Sequence, residues 1–275
     1  MSSQIVRLAA RLLVALFFVL PLIWVVSAAL HPPGVPLPRS LSLLPTAPSL
    51  ANFGRLSSYF PLGRLTFNSL WITLTAVGLT LLTASLVAFA IALLPKRYQQ
   101  RWVILLLALL MLPEIALWPT RFLLYRLLGW LDTPLALLAP AWIGTSPFFI
   151  LMYYRAFRRI PREIYETARL DGAGILQTWW RVALPIALPT SLAIGLLTFV
   201  LYWGDFLSPL LYLNSERYAT LPIALQSLQQ LSRSDWALLM AGVVVALAVP
   251  VALFLVFMPY FNRQSRSAFR RAQRT

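Results

Sequence analysis

Apolar residues are spread along this chain in long blocks with almost no charge. Residues 12–30, 65–94, 133–154 and 236–261 carry no charged side chain, while residues 102–118 and 189–207 carry one each, Glu114 and Asp205. A helix crossing the hydrocarbon core needs about 20 apolar residues, and only a helix or a closed barrel satisfies its backbone there. The pattern therefore predicts an all-α, polytopic membrane protein with six transmembrane helices. Arg7 and Arg11 before the first block, and Ser27, Ala28 and Ala29 at its end, give it the look of a signal peptide. A signal-peptide core is about 7–15 residues long, so this longer block is expected to be a retained first span. Pro21 is tolerated inside it.

The segments between the blocks differ in character. Residues 31–64 are rich in proline and predict an extended loop that contains the single histidine, His31. Residues 95–101 form a short basic turn. In residues 121–132, Phe122, Leu123, Tyr125, Leu127 and Leu128 fit one side of a short helix lying at the membrane surface. Residues 209–235 read as a loop with short apolar runs of its own. The one long polar interruption in the second half is residues 161–189, which holds Glu163, Glu166 and Asp171 among arginines.

Composition supports the membrane reading and narrows the chemistry. Of the 275 residues, 60% are hydrophobic and 11% charged, against about 25% charged in soluble domains. Six spans put both termini on one side. With residues 1–11, 95–101, 155–185 and the tail 263–275 inside, Lys and Arg number 16 inside and 7 outside. Basic residues concentrate in cytoplasmic loops, so the arrangement is N-in, C-in. The net charge of +15 is then attraction to anionic membrane lipid. It does not indicate nucleic acid, since no soluble basic and aromatic module is present.

Several chemistries are excluded. With no cysteine and one histidine, the chain lacks thiol chemistry and the usual zinc ligands. A phosphate-binding loop needs Gly-x-x-x-x-Gly-Lys-Ser/Thr, whereas the one lysine sits in Leu94-Pro95-Lys96-Arg97. No Gly-x-Ser-x-Gly turn occurs. The chain is expected to carry no catalytic residue, no metal and no bound cofactor. Glu114 and Asp205 lie at membrane depth, where acids are either paired structurally or functional. No series of acids and histidines suggests a proton relay.

The polar interruption has local logic. Pro161 suits a first helical turn, and Glu163 and Glu166 complement the dipole of that end. Spacing permits ion pairs from Glu166 to Arg162 and Arg169. Gly172 stops the helix in a left-handed conformation, and a second helix starts near Gly174. Ile175, Leu176, Trp179, Val182 and Ala183 recur at helical spacing as a face for docking on the bundle. Pro185 and Pro189 bend the chain into the fifth span. The product is a cytoplasmic helix–turn–helix with an exposed turn, or else a long interfacial loop anchored by Trp179 and Trp180.

Here the sequence resembles a known family. Glu166-Thr167-Ala168, three residues, Gly172, nine residues and Val182-Ala183-Leu184-Pro185 are similar to the EAA signature of binding-protein-dependent ABC importer permeases. Thr167 stands where that signature has its first alanine, and Val182 where it has isoleucine. Asp171-Gly172-Ala173 looks like the form common in the carbohydrate branch. Thr66-Phe67-Asn68-Ser69-Leu70, Gly129-Trp130-Leu131-Asp132-Thr133 and Trp203-Gly204-Asp205-Phe206 resemble further elements of the maltose-type second permease subunit.

The resemblance implies a single transmembrane domain over residues 12–262 with a coupling loop over residues 157–185. It implies half of a translocation pore, completed by a second homologous permease. Two ATPase subunits, with ATP and magnesium bound there, would sit beneath. An extracytoplasmic sugar-binding protein would deliver the cargo. The resemblance assigns ATPase coupling to Arg162, Glu163, Glu166, Thr167, Ala168, Asp171, Gly172, Ala173, Leu184 and Pro185, and a substrate pathway to Asn68, Trp203 and Asp205. It places the chain in a bacterial or archaeal cytoplasmic membrane. A permease for polyamine, phosphate or another small solute stays open, as does an ATP-independent carrier or membrane scaffold.

Overall fold

The computed structural model describes residues 2–34, 45, 47–231 and 235–272, with side chains described for residues 6, 8–34, 45, 47–230 and 235–256. These residues are helical, with no strand among them. In chain order the helices are α1 (Ser2–Ala29), α2 (Ala51–Tyr59), α3 (Leu62–Leu93), α4 (Lys96–Leu110), α5 (Glu114–Leu127), α6 (Pro134–Trp142), α7 (Pro147–Arg158) and α8 (Arg162–Leu170). Then come α9 (Ile175–Thr178), a π-helical turn (Trp179–Ala183), α10 (Leu184–Ile186), α11 (Leu188–Trp203), α12 (Leu207–Tyr212), a 3-10 turn (Glu216–Tyr218), α13 (Leu221–Leu231) and α14 (Trp236–Ala272).

Four stretches are long and apolar enough to cross a membrane: Leu8–Ala29, Leu62–Leu93, Pro134–Arg158 and Trp236–Val256. Two bent pairs, Lys96–Leu110 with Glu114–Leu127 (91°) and Ile175–Ile186 with Leu188–Trp203 (82°), bring the number to as many as six if each pair is one span. The first bend falls at Pro113, which has no N–H and disfavours a helical Leu112. Glu114 therefore opens α5 instead of lying near the end of a straight third helix. The surface helix expected over residues 121–132 is the continuation of α5. The proline-rich loop likewise contains a helix, α2, and two of its seven prolines, Pro36 and Pro38, lie outside the described residues.

The chain divides into two units. One comprises Met1–Arg64 and Ala224–Thr275. In it α14 packs on α1 and α2, around a core of Leu56, Leu228 and Leu238. The Asn52 amide is buried and donates to the carbonyls of Ala29 (3.0 Å) and His31 (2.7 Å), which closes the end of α1. Arg55 pairs with Asp235 at 2.7 Å. The Asp235 carboxylate also accepts Leu238 N–H at 3.1 Å and so caps the start of α14.

The second unit is Leu65–Ile223, and α3 is its central post. The buried positions Ile72, Ala76, Thr80, Ala84 and Ala88 recur along one side of α3. Small residues there let neighbouring backbones approach closely. Thr83 donates to Ala141 carbonyl at 2.8 Å, and Thr80 shares a hydrogen bond with Thr145. Gln99 is buried and donates to the carbonyls of Ala92 (2.9 Å) and Leu94 (2.6 Å), finishing the end of α3. Tyr154 donates to Gln99 at 2.9 Å and Tyr153 to Ser191 at 2.9 Å. Those two tyrosines of α7 fasten it to α4 and α11.

One loop contact yields a direct prediction. Asp132 adopts a left-handed φ of 58°, and its Oδ1 accepts the N–H groups of Ser215 (2.8 Å) and Asn214 (2.9 Å). Those two bonds hold its carboxyl below the ordinary 3.8, Ser215 contributing most. Bonding to the charged form lowers a pKa. The stabilisation is therefore complete above the ordinary aspartate range and is lost as pH falls through the lowered value. Asp132→Ala is expected to make the 213–218 segment several-fold easier to cleave in limited proteolysis, the open population rising with the lost bonds. Asp132→Asn keeps an acceptor and a tolerated φ but loses the charge, and should fall between wild type and Asp132→Ala.

Candidate functional site

The polar stretch folds as α8, a tight turn and α9. Pro161 precedes α8, and Glu163 lies in its first turn, where an acid complements the dipole. At the other end Gly172 takes φ 78°. Ala173 N–H donates to Ala168 carbonyl at 2.9 Å and Gly172 N–H to Arg169 carbonyl at 3.0 Å. This pair of bonds is a Schellman cap. α8 contains no buried residue. Glu163, Glu166 and Asp171 are exposed, and none forms an ion pair among the described residues, so the pairings with Arg162 and Arg169 that spacing permits are not made.

One side chain ties α8 to the bundle. Tyr165 donates to Phe157 carbonyl at 3.2 Å, and its ring meets Phe89 edge-on at 6.0 Å between centroids. Burial pushes its hydroxyl up to about 12, so it stays a donor at any physiological pH. Between α8 and the ends of α3 and α7 lies a cavity of about 360 Å³, walled by Phe89, Pro95, Phe157, Arg158 and Tyr165 among others.

The docking face of the second helix differs from its expected composition. Ile175 and Leu176 are exposed, at 62% and 69%, whereas Trp179 and Ala183 are buried. Burial begins at Thr178, and the π-helical turn over Trp179–Ala183 follows it. Trp180 points outward, so Trp179 alone is the buried anchor. Val182, Leu184 and Ala173 are half-buried, and Pro185 is exposed. The 82° bend falls at Ala187, between the two prolines.

The three expected pathway residues separate. The Asn68 amide donates to the carbonyls of Arg217 (2.9 Å) and Ala219 (3.0 Å), and so holds that loop to the start of α3. Trp203 is buried and stacked on Phe199, with 5.6 Å between centroids. Asp205 lines a second cavity, of about 460 Å³, together with Glu114, Trp118, Arg121, Thr145 and Tyr202. Glu114 and Asp205, the two acids of the third and fifth apolar blocks, thus share one wall. Glu114 is paired to Arg121 at 3.1 Å. Thr145 and Tyr202 gave no signal in the sequence beyond the break at Gly144-Thr145-Ser146-Pro147. Among the described residues no group of acids, histidines or cysteines is arranged to hold a metal.

Comparison with known proteins follows this geometry. Residues 81–267 match the family described as binding-protein-dependent transport system inner membrane component. The chain is 29% identical over 255 residues to the sulfoquinovosyl glycerol transport system permease protein SmoH of Agrobacterium fabrum, covering 93% of this chain and 89% of that protein. It is 30% identical over 252 residues to the arabinooligosaccharides transport system permease protein AraQ of Halalkalibacterium halodurans, covering 90% and 89%. Its fold is similar to that of a chain in the crystal structure of a bacterial ABC transporter involved in the import of the acidic polysaccharide alginate. That match has a TM-score of 0.75 at 21% identity and covers 96% of this chain and 97% of the other.

Proposed function

The chain belongs to the family of binding-protein-dependent transport system inner membrane components, and from that membership we propose that it forms half of the pore of an ATP-driven sugar importer. A second permease completes the pore. Two ATPases bind on the cytoplasmic side and hold ATP and magnesium, while an extracytoplasmic binding protein delivers the sugar. The chain lies in a bacterial or archaeal cytoplasmic membrane, N-in and C-in, its basic ends against anionic lipid. The excess of basic residues, 16 against 7, supports that orientation.

The observation that carries the reading is the exposed helix α8, closed by its cap at Gly172 and fastened to α7 by Tyr165. An exposed polar helix with unpaired acids is a surface for a partner. Rigid ends make it a lever, because displacement passes through packed elements with discrete arrangements. α8 is the coupling helix, seated on an ATPase. Glu163, Glu166 and Asp171 present the contact charge, and Arg162, Thr167, Ala168, Gly172, Ala173, Leu184 and Pro185 shape and mount it. Movement of the ATPases on ATP binding displaces α8 and turns the pore from one side to the other.

The test is purification of the tagged chain from its native membranes. The ATPase and the second permease are expected to co-purify, and proteoliposomes of the complex with the binding protein should import a neutral saccharide only with ATP inside the coupled system. Purification without any ATPase would defeat the proposal.

A further inference from the structure

We propose that the cavity at the break between α6 and α7 is a solute-contact site within this chain, and that it takes neutral polyhydroxyl solutes in preference to anionic ones. The inference rests on the sugar-importer reading and adds where this half of the pore touches its cargo. The cavity measures about 460 Å³, within the range of small-molecule sites, about 300–1,000 Å³. Its wall combines what a sugar needs: an aromatic face in Trp118, hydroxyls in Thr145 and Tyr202, and charged groups in Glu114, Arg121 and Asp205. Trp118 supplies an apolar plane for ring carbons. Carboxylate and guanidinium supply strong acceptors and donors for ring hydroxyls.

Two features show that this wall is not closed on itself. The Tyr202 hydroxyl is buried without a hydrogen bond of acceptable geometry, while the neighbouring Thr145 hydroxyl is engaged with Thr80. Buried polar groups are almost always satisfied; the Tyr202 hydroxyl lies against Thr145 and opens to a ligand hydroxyl only as that contact loosens. Asp205 accepts a single backbone N–H, from Ser208 at 3.0 Å, and forms no ion pair among the described residues. The helix break beside them leaves irregular backbone, which at membrane depth occurs where it lines a cavity or is buried in protein.

Charge then sets selectivity. Arg121 is paired to Glu114, which leaves the Asp205 carboxylate uncompensated. With Arg121 and Glu114 offsetting each other, the wall keeps a net negative charge, which concentrates cations and repels anions. A sulfonated, phosphorylated or uronic solute meets that carboxylate, whereas a neutral diol can donate two hydroxyls to it.

The absence of cysteine from the chain allows a direct test. Ser208→Cys gives this chain one thiol, on the cavity wall, in the assembled importer in proteoliposomes, and labelling is read on this chain after its separation from the partners. The importer is treated with a cationic (ethyltrimethylammonium) or an anionic (ethylsulfonate) methanethiosulfonate. After correction for intrinsic reactivity, the cation is expected to react on the order of tenfold faster, and Asp205→Asn in the same background should remove the preference. Equal rates, a faster anion, or no labelling by either reagent would overturn the proposal.

A second measurement reads cargo. In importer that takes up arabinotriose, Trp118→Ala and Asp205→Asn should lower uptake on the order of tenfold while ATP hydrolysis stimulated by the loaded binding protein persists, with Trp118→Phe restoring part of it. Wild-type uptake in both variants sinks the contact site. Loss of hydrolysis as well, with no rescue by phenylalanine, assigns the residues to structure alone and also overturns it. A wild-type complex that hydrolyses ATP but imports no saccharide would instead refute the sugar reading, and the thiol labelling would still judge the cavity.

Discussion

Gly172→Pro is expected to abolish solute uptake while the protein still inserts in the membrane. Gly172 holds φ 78°, which proline cannot adopt with its φ fixed near −65°. Its N–H donates to Arg169 carbonyl, and proline has none. Asp171 lies in the helical region at φ −74°, ψ 6°, which a following proline disfavours. Together these cost about 3 kcal/mol or more at that turn, so α8 loses its stop and the chain leaves it in another direction. No span is altered. A Cβ at residue 172 would meet nothing within 4 Å, so Gly172→Ala carries only the backbone penalty, about 1–2 kcal/mol, and should retain part of the uptake.

Glu166→Lys separates coupling from folding. Glu166 is exposed on a helix with no buried residue, where substitutions change stability by about 0.5 kcal/mol or less. Its effect on fold is small, yet it reverses charge on the face assigned to the ATPase. Uptake and ATPase association are expected to fall together, measured in proteoliposomes and by co-purification. Wild-type values for both in Glu166→Lys and Gly172→Pro would remove α8 from the coupling role.

Gly144→Val is the most damaging single change expected in the bundle. Gly144 has φ 83°, which costs a residue with a side chain about 1–2 kcal/mol. An added Cβ would lie 3.3 Å from Ala84 Cβ, 3.3 Å from Ile150 Cγ1 and 3.4 Å from Ala84 Cα. Ala84 is fully buried in α3 and cannot withdraw, so overpacking adds about 1–3 kcal/mol. The sum, about 2–5 kcal/mol, is comparable with the whole stability of many domains. Gly129→Ala is the control: its φ is 65°, with nothing within 4 Å of a new Cβ, so only the backbone penalty applies. Thermal unfolding of both purified variants decides, and Gly144→Val no worse than Gly129→Ala would show that α3 yields.

The polar stretch was the most legible part of the chain because its geometry is set by nearest neighbours. A proline before a helix, an acid in its first turn and a glycine at its end act within one or two turns, and each occurs where the residue pattern puts it. The face of the second helix was not legible. Helical spacing puts Ile175 on the same side as Trp179, but only Trp179 and Ala183 reach the core cluster, and Ile175 and Leu176 stay outside it. The bend in the third apolar block was not legible either: Pro113 terminates a helix only if the chain has somewhere to turn, and the chain turns there by 91°.

By itself the sequence determined that this is a helical membrane protein without a Gly-x-x-x-x-Gly-Lys-Ser/Thr loop and with one polar helix that resembles the EAA signature. Those conclusions follow from composition, from the length of apolar runs and from local caps, none of which depends on distant contacts. The tertiary structure alone decided that Glu114 and Asp205 share a cavity, that Asn68 fastens a loop, and that Trp203 is buried and stacked on Phe199. Residues far apart in the chain meet according to how helices rotate and cross. That is set by small contacts such as Gly144 on Ala84 and Thr83 on Ala141, which hydrophobic periodicity does not encode.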